Sequence, residues 1–198
     1  PYNGPKWYVS PDGNDLNVGK SNQPFKTIQT AINAANHQDT IIVSNGTYTE
    51  DLNFSQFANK SIVLKSINGA ASTILKGTIY AEVAVDINVF DLTIEDSQGY
   101  GIDCNDGCTF IGSDITVRKA TQAGIHVGNK SNMTLSDSRI HNNGAMGIYI
   151  SDSEVILNNS KVDSNYFDGN GAGIYASGGT TNLTLNNVEV KNNKSIQG

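Results

Sequence analysis

A repeat constrains this chain more than anything in its composition. The pairs Gly101-Ile102, Gly124-Ile125, Gly147-Ile148 and Gly173-Ile174 fall 23, 23 and 26 residues apart, and one more step back from Ile102 reaches Ile79. The apolar residue closing each following strand recurs at Ile94, Val117, Ile140, Val162 and Val190, with steps of 23, 23, 22 and 28. A period in the twenties filled with short alternating segments is how a solenoid is written in sequence. In residues 147–164, Gly-Ile-Tyr-Ile, Val155-Ile156-Leu157 and Lys161-Val162-Asp163 are separated by Ser151-Asp152-Ser153 and Asn158-Asn159. Alternation sends Ile148, Ile150, Val155, Leu157 and Val162 to one side and Tyr149 to the other. None of these repeat segments is long enough for a helical apolar pattern.

Three bent strands per coil of about 23 residues predict an all-β, right-handed parallel β-helix, with coils stacked about 4.8 Å apart. The inward columns read Ile79/Ile102/Ile125/Ile148/Ile174, Ile87/Phe110/Met133/Val155/Leu183 and Ile94/Val117/Ile140/Val162/Val190. Between strands two and three, Asp91, Asp114, Asp137, Asn159 and Asn187 form a turn column. Asn and Asp suit it because they accept left-handed backbone and can bond from coil to coil.

Residues 1–38 are expected to form an N-terminal strand, loop and helix cap, and 39–198 the β-helix. Trp7-Tyr8-Val9 reads as a strand. Pro24 is expected to open a helix over 25–35, with Phe25, Ile28, Ile32 and Ala35 on its buried face. Thr40–Val43, Ser61–Leu64 and Ser72–Leu75 read as strands of unassigned side, with Asn45–Tyr48 a turn. The last coil ends at Asn192–Gly198 with nothing to cover Ile174, Leu183 and Val190. That end implies either a piece of a longer repeat protein or self-association through the open coil. A net charge of −6 and a pI near 4.9 argue against nucleic acid and anionic membrane as partners. No apolar run reaches the roughly 18 residues of a membrane span. The chain opens on Pro1-Tyr2-Asn3 with no visible signal peptide, as a mature secreted chain or an excised piece would.

Tyr8-Val9-Ser10-Pro11-Asp12-Gly13-Asn14-Asp15, Pro24-Phe25-Lys26-Thr27-Ile28-Gln29 and Asp39-Thr40-Ile41-Ile42-Val43-Ser44-Asn45-Gly46-Thr47-Tyr48 resemble the opening of many secreted pectate-lyase-like β-helix proteins. The stretch Asn165–Tyr175 is similar to repeats of polymorphic outer-membrane and adhesin-like proteins. The resemblance implies a secreted or cell-surface location and a substrate face on the first strand of each coil. That superfamily holds lyases, hydrolases, epimerases and many non-enzymes, so fold alone does not select an activity.

On that face the outward column reads Tyr80, Asp103, His126, Tyr149 and Tyr175, an exposed row expected to bind glycan with its rings stacked on sugars. The structural alternative is an exposed sheet whose aromatics pair along the sheet for stability. A lyase acting on uronates would need acidic calcium ligands, for which Asp103 and Asp106 are the candidates, and a base, for which Lys130 lies one coil on. Asp103 with His126 could form an acid–base pair, without a nucleophile beside it. The paired-aspartate and Gly-His-Gly patterns of β-helix hydrolases are absent, as are Asp-Pro-His-Asp of alginate epimerases and Asp-Phe-Ile-Phe of pectin methylesterases. No cofactor is required. Calcium is the one metal with candidate ligands, here and at Asp12 and Asp15 in the opening loop.

The third-strand column Glu95, Arg118, His141, Asp163 and Lys191 largely alternates in sign and is expected as a solvated, register-fixing face. Cys104 and Cys108 bracket Asn105-Asp106-Gly107. A short-range disulfide is expected in a secreted chain, with two buried thiols as the alternative. Glycosylation sequons stand at Asn45, Asn53, Asn59, Asn129, Asn132, Asn158, Asn182 and Asn193. These features favour an extracellular module that binds carbohydrate or serves adhesion or assembly. The alternatives are a polysaccharide lyase or related glycan-active enzyme, and a filament subunit.

Overall fold

The computed structural model describes residues 2–54 and 58–196 as a right-handed β-solenoid of about six turns with three parallel sheets and one short helix. The first-strand sheet has six strands, among them Ile79–Ala81, Ile102–Cys104, Ile125–Val127, Ile148–Ser151 and Ile174–Ser177. The second-strand sheet has eight and begins with Lys6–Val9, which pairs in parallel with Thr40–Val43 and so extends the solenoid into the cap. The third has seven, from Gly46–Thr49 to Glu189–Lys191.

Register follows the repeat residue for residue. Ile102 lies between Ile79 and Ile125, Phe110 between Ile87 and Met133, and Val117 between Ile94 and Ile140. All nine are buried in one continuous core. A slip of one residue would turn each of these side chains to solvent, so the apolar columns fix the register. The five Asp and Asn residues of the turn column all have positive φ, and Asn187 Nδ2 donates to Asn159 Oδ1 at 2.9 Å.

The irregular N-terminal coils correct the sequence reading in two places. Gly46–Thr49 is a strand of the third sheet, and Tyr48 is buried with its hydroxyl donating to Ser44 O at 2.9 Å. The helix runs only from Ile28 to Ala34. Thr27 is its N-cap, and Phe25 instead bridges Val9 in extended backbone, stacked on Trp7. A threonine whose oxygen accepts from Thr30 N outcompetes the upstream proline as a start signal. Glu50 completes the end, its two oxygens accepting from Ile28 N and Gln29 N at 2.9 Å each. Thr27→Ala should therefore lower stability by no more than about 1 kcal/mol, read by urea unfolding. A loss several times larger would mean that the Glu50 contacts do not hold the helix without Thr27.

Asp15, a calcium candidate, accepts from Lys26 N and Thr27 N at 2.9 Å each, while Asp12 lies exposed. A buried asparagine column escaped the sequence reading. Asn143 donates to Asn165, and Asn165 to Asn193, each Nδ2···Oδ1 at 2.9 Å. At the C-terminal end Ile174 is half-buried against the core, and Leu183, Leu185 and Val190 are exposed. A two-stranded sheet of Tyr166–Phe167 and Lys194–Ser195, also unanticipated, flanks this end. Gln197 and Gly198 of the terminal run lie outside the described residues. Among those described, no helix is long and apolar enough to cross a membrane.

Candidate functional site

The first-strand sheet brings the anticipated column together in register: Tyr80 beside Asp103, Asp103 beside His126, His126 beside Tyr149, and Tyr149 beside Tyr175. All five point out of the core, but the column is not the exposed row expected. The four ring-bearing residues are half-buried, and Asp103 is buried at 7% exposure. The rings stack on one another, His126 on Tyr149 at 4.9 Å with an 18° tilt, and Tyr149 near Tyr175 at 5.8 Å and 36°. Coil spacing of about 4.8 Å places equivalent rings at stacking distance. The row therefore presents ring edges and hydroxyls outward, because neighbouring rings cover each other's faces.

One member of the stack was missed. Tyr100, in the loop entering the coil of Asp103, lies on His126 at 4.8 Å and 29°. The short Asp103 side chain leaves the space beside His126 that a ring in register would fill, and Tyr100 occupies it. Its position, two residues ahead of the Gly-Ile repeat phase, hid it from a reading by columns. Burial, the nearby Asp103 carboxylate and the Tyr149 phenol push its pKa up, so its phenol is a proton donor at neutral pH.

Asp103 Oδ1 is the centre of a small network. His126 Nδ1 lies 2.9 Å from it and Asn105 Nδ2 3.0 Å. A carboxylate only accepts, so both groups donate to it, and the imidazole proton is assigned to Nδ1. In the neutral ring Nε2 then carries the lone pair, and no described residue bonds to it. Asn105 Oδ1 is buried and finds no donor among the described residues. Gly128 permits this crowding, since a Cβ there would stand 2.4 Å from Asn105 Oδ1 and 3.1 Å from His126 Nε2. Asn105 follows Cys104, which is bridged to Cys108 with Cα atoms 5.6 Å apart, both residues fully buried. The bridge closes the loop that carries Asn105 over the dyad.

The calcium-and-lysine arrangement does not assemble. Asp103 is turned to His126 and Asn105, whereas Asp106 and Lys130 line a separate cleft with Asn129, Asp152 and Thr180. Asn129 Nδ2 donates to Asp106 Oδ1 at 2.9 Å. Among the described residues no three His, Cys, Asp or Glu side chains are grouped to hold a metal. Beyond Tyr80 the face runs into a groove at the corner between the first and third sheets, lined by Glu50, Asp51, Lys76, Thr78, Asp96 and Gln98 among others. Glu50 has its pKa raised by burial, against the opposing hydrogen bonds from the helix N–H groups.

The third-strand column is not solvated as expected. Glu95, His141 and Asp163 are buried. Arg118 reaches Glu95 at 2.7 Å, and Arg139 reaches Asp163 at 2.8 Å. Long basic side chains from adjacent coils cover the shorter acids with their stems. Of the sequons, Asn45, Asn53, Asn59, Asn129, Asn132 and Asn182 are exposed. Asn158 accepts from Asn186, and Asn193 Nδ2 donates to Val162 O. A glycan at Asn193 would have to break the buried asparagine column.

The family description "Pel9A-like, right handed beta helix region" matches residues 7–173. The chain belongs to this Pel9A-like β-helix family. Its fold is shared with a pectin methylesterase mutant crystallised in complex with a hexasaccharide, at TM-score 0.65 and 19% identity, over 93% of this chain and 65% of that one. The pectate lyase Pel9A matches at TM-score 0.53 and 18% identity, over 81% of this chain and 54% of the lyase. Among curated proteins, the uncharacterized YwoF of Bacillus subtilis (strain 168) is 27% identical over 146 residues. That match takes in 67% of this chain and only 28% of YwoF. At these identities the solved structures establish the fold.

Proposed function

We propose that this β-helix is an extracellular or cell-surface module that binds a pectin-type polysaccharide along its first-strand face. The observation that carries the reading is the stack in which His126, Tyr149 and Tyr175 cross successive coils in register, with the loop residue Tyr100 laid on its end, offering a row of polar edges. A linear polymer laid across the coils meets this row in turn, and the phenol groups can exchange hydrogen bonds with sugar hydroxyls. Membership of a pectate-lyase-like family and the pectin methylesterase structure with its hexasaccharide support the ligand class.

Charge narrows it. The chain carries −6 overall, and Asp103 and Asp106 lie at or beside the face, so a neutral, methyl-esterified chain is favoured over a bare polyuronate. Affinity electrophoresis in gels containing pectins of graded esterification tests this. Retardation should increase with esterification, and Tyr149→Ala should weaken binding about tenfold, or roughly 1.4 kcal/mol, with the fold intact by circular dichroism. Equal migration in every gel, or a Tyr149→Ala protein that binds like the parent, would refute the reading.

A further inference from the structure

One loop departs from the repeat. Val117 to Ile125 and Ile140 to Ile148 each take 8 residues, whereas Val162 to Ile174 takes 12. Added length over a rigid sheet is where binding residues concentrate. This loop is fastened in place. Tyr166–Phe167 pairs in parallel with Lys194–Ser195, Tyr166 N donates to Asn143 O at 3.1 Å, and Ser195 Oγ donates to Gly169 O. Its Phe167 forms a pocket with Met146, Gly169, Asn170 and Tyr175, the last ring of the first-strand row. Glycine lets the loop follow the two rings closely. A Cβ on Gly169 would stand 2.5 Å from the Phe167 ring, and one on Gly171, at φ +77, would stand 2.9 Å from Tyr175 Cβ.

We propose that this pocket reads small ester groups on the bound chain, a methyl ester or an O-acetyl group, by burying their methyl. The inference rests on the glycan reading above. None of the five lining residues carries a charge, unlike the cleft of Asp106, Lys130 and Asp152 or the corner groove of Glu50, Asp51, Lys76 and Asp96. A free carboxylate entering the pocket would lose its water with no cation to replace it. An ester is neutral and sets its methyl against Met146, Phe167 and Tyr175, which are all half-buried and so still open to a ligand. The unbranched Met146 thioether adapts to so small a group. The ester carbonyl is an acceptor for the Asn170 amide on the pocket wall. Because Tyr175 belongs to both the row and the pocket, a chain lying on the row brings a sugar substituent to this mouth. Neutrality alone does not separate an ester from an amide, and a pocket for the methyl does.

The test is affinity electrophoresis of the whole chain in gels of methyl-esterified pectin and of amidated pectin with the same fraction of carboxylates neutralised. The two polymers match in charge and differ in the methyl. The parent protein should bind the ester about fourfold more tightly, the worth of one buried methyl group. In Phe167→Ala, and in Met146→Gln, which keeps the length of the side chain, that ratio should fall to near one with amide binding unchanged. Acetylated pectin against the same pectin deacetylated separates the two sources. A preference there that both variants abolish supports the pocket with the acetyl ester as its occupant. Equal binding of ester and amide, with no preference for acetylated pectin, overturns this inference and leaves the binding reading standing. A preference that both variants retain overturns it too, as does loss of amide binding in both, which would make the pocket part of the general chain site. Absence of retardation of the parent in every gel defeats both readings.

Discussion

Asn165→Ala is expected to lower the unfolding free energy by about 3–5 kcal/mol, more than most single substitutions manage. Asn165 is almost fully buried. Its Oδ1 accepts from Asn143 N at 3.1 Å and from Asn143 Nδ2 at 2.9 Å, and its Nδ2 donates to Ile140 O at 3.2 Å and Asn193 Oδ1 at 2.9 Å. Alanine removes all four bonds: Asn143 N and Ile140 O lose the side chain they share, while Asn193 Oδ1 keeps Asn165 N and Asn143 Nδ2 keeps a long contact to Val117 O. Each stranded group costs about 1–3 kcal/mol when it cannot reach water. Relaxation of the Asn143 and Asn193 side chains recovers part of the sum. In a solenoid the loss falls on both interfaces of one coil, because each coil touches only its neighbours. Urea unfolding of the parent and variant checks this, with Asn170→Ala in the C-terminal loop as an exposed control. A change below about 1 kcal/mol would mean that water replaces the missing amide.

That column also shows what the sequence could and could not reveal. Asn143, Asn165 and Asn193 are spaced 22 and 28 apart, the same steps as Ile140, Val162 and Val190, and each follows its apolar partner by three residues. The signal was present in the spacing. Polar residues are ordinarily assigned to surface, so a search for apolar columns passes over them. The apolar columns themselves, the left-handed Asp and Asn turns and the outward phase of His126, Tyr149 and Tyr175 followed directly from alternation with period two. Tyr100 did not, because a loop residue carries no phase. Nor did the burial of Asp103, Glu95 and Asp163. Alternation tells which face a side chain leaves, not whether longer side chains on the adjacent coils then lie across it. The start of the helix is set by the Thr27 cap, reinforced by the Asp15 and Glu50 contacts, which come from residues distant in sequence.

The buried acid of the third sheet leads to the second large effect. Arg139 holds Asp163 through two bonds, Nε to Oδ1 and Nη2 to Oδ2, each 2.8 Å. The hydrogen bonds from Arg139, partly opposed by burial and aided by Ser164, hold the Asp163 pKa down at about 2. The unfolded chain has an ordinary carboxylate value near 3.9. A depressed folded pKa adds stability that is fully present above the unfolded value and disappears as pH falls through the folded one. The window therefore lies between about pH 4 and about pH 2, and the contribution at neutral pH is about 2 kcal/mol. Arg139→Ala should remove that amount and about 1 kcal/mol more, because the carboxylate is left buried with only Ser164 and the Lys161 charge to compensate it. Asp163→Asn in the same background should recover part of the loss by removing the stranded charge. Measured by urea unfolding, the gap between parent and Arg139→Ala should be full at pH 7, begin to close below about pH 4 and nearly vanish by about pH 1.5, where Asp163 is protonated in both. A gap that stays constant down to that pH would assign the effect to lost packing of the arginine stem and not to its charge.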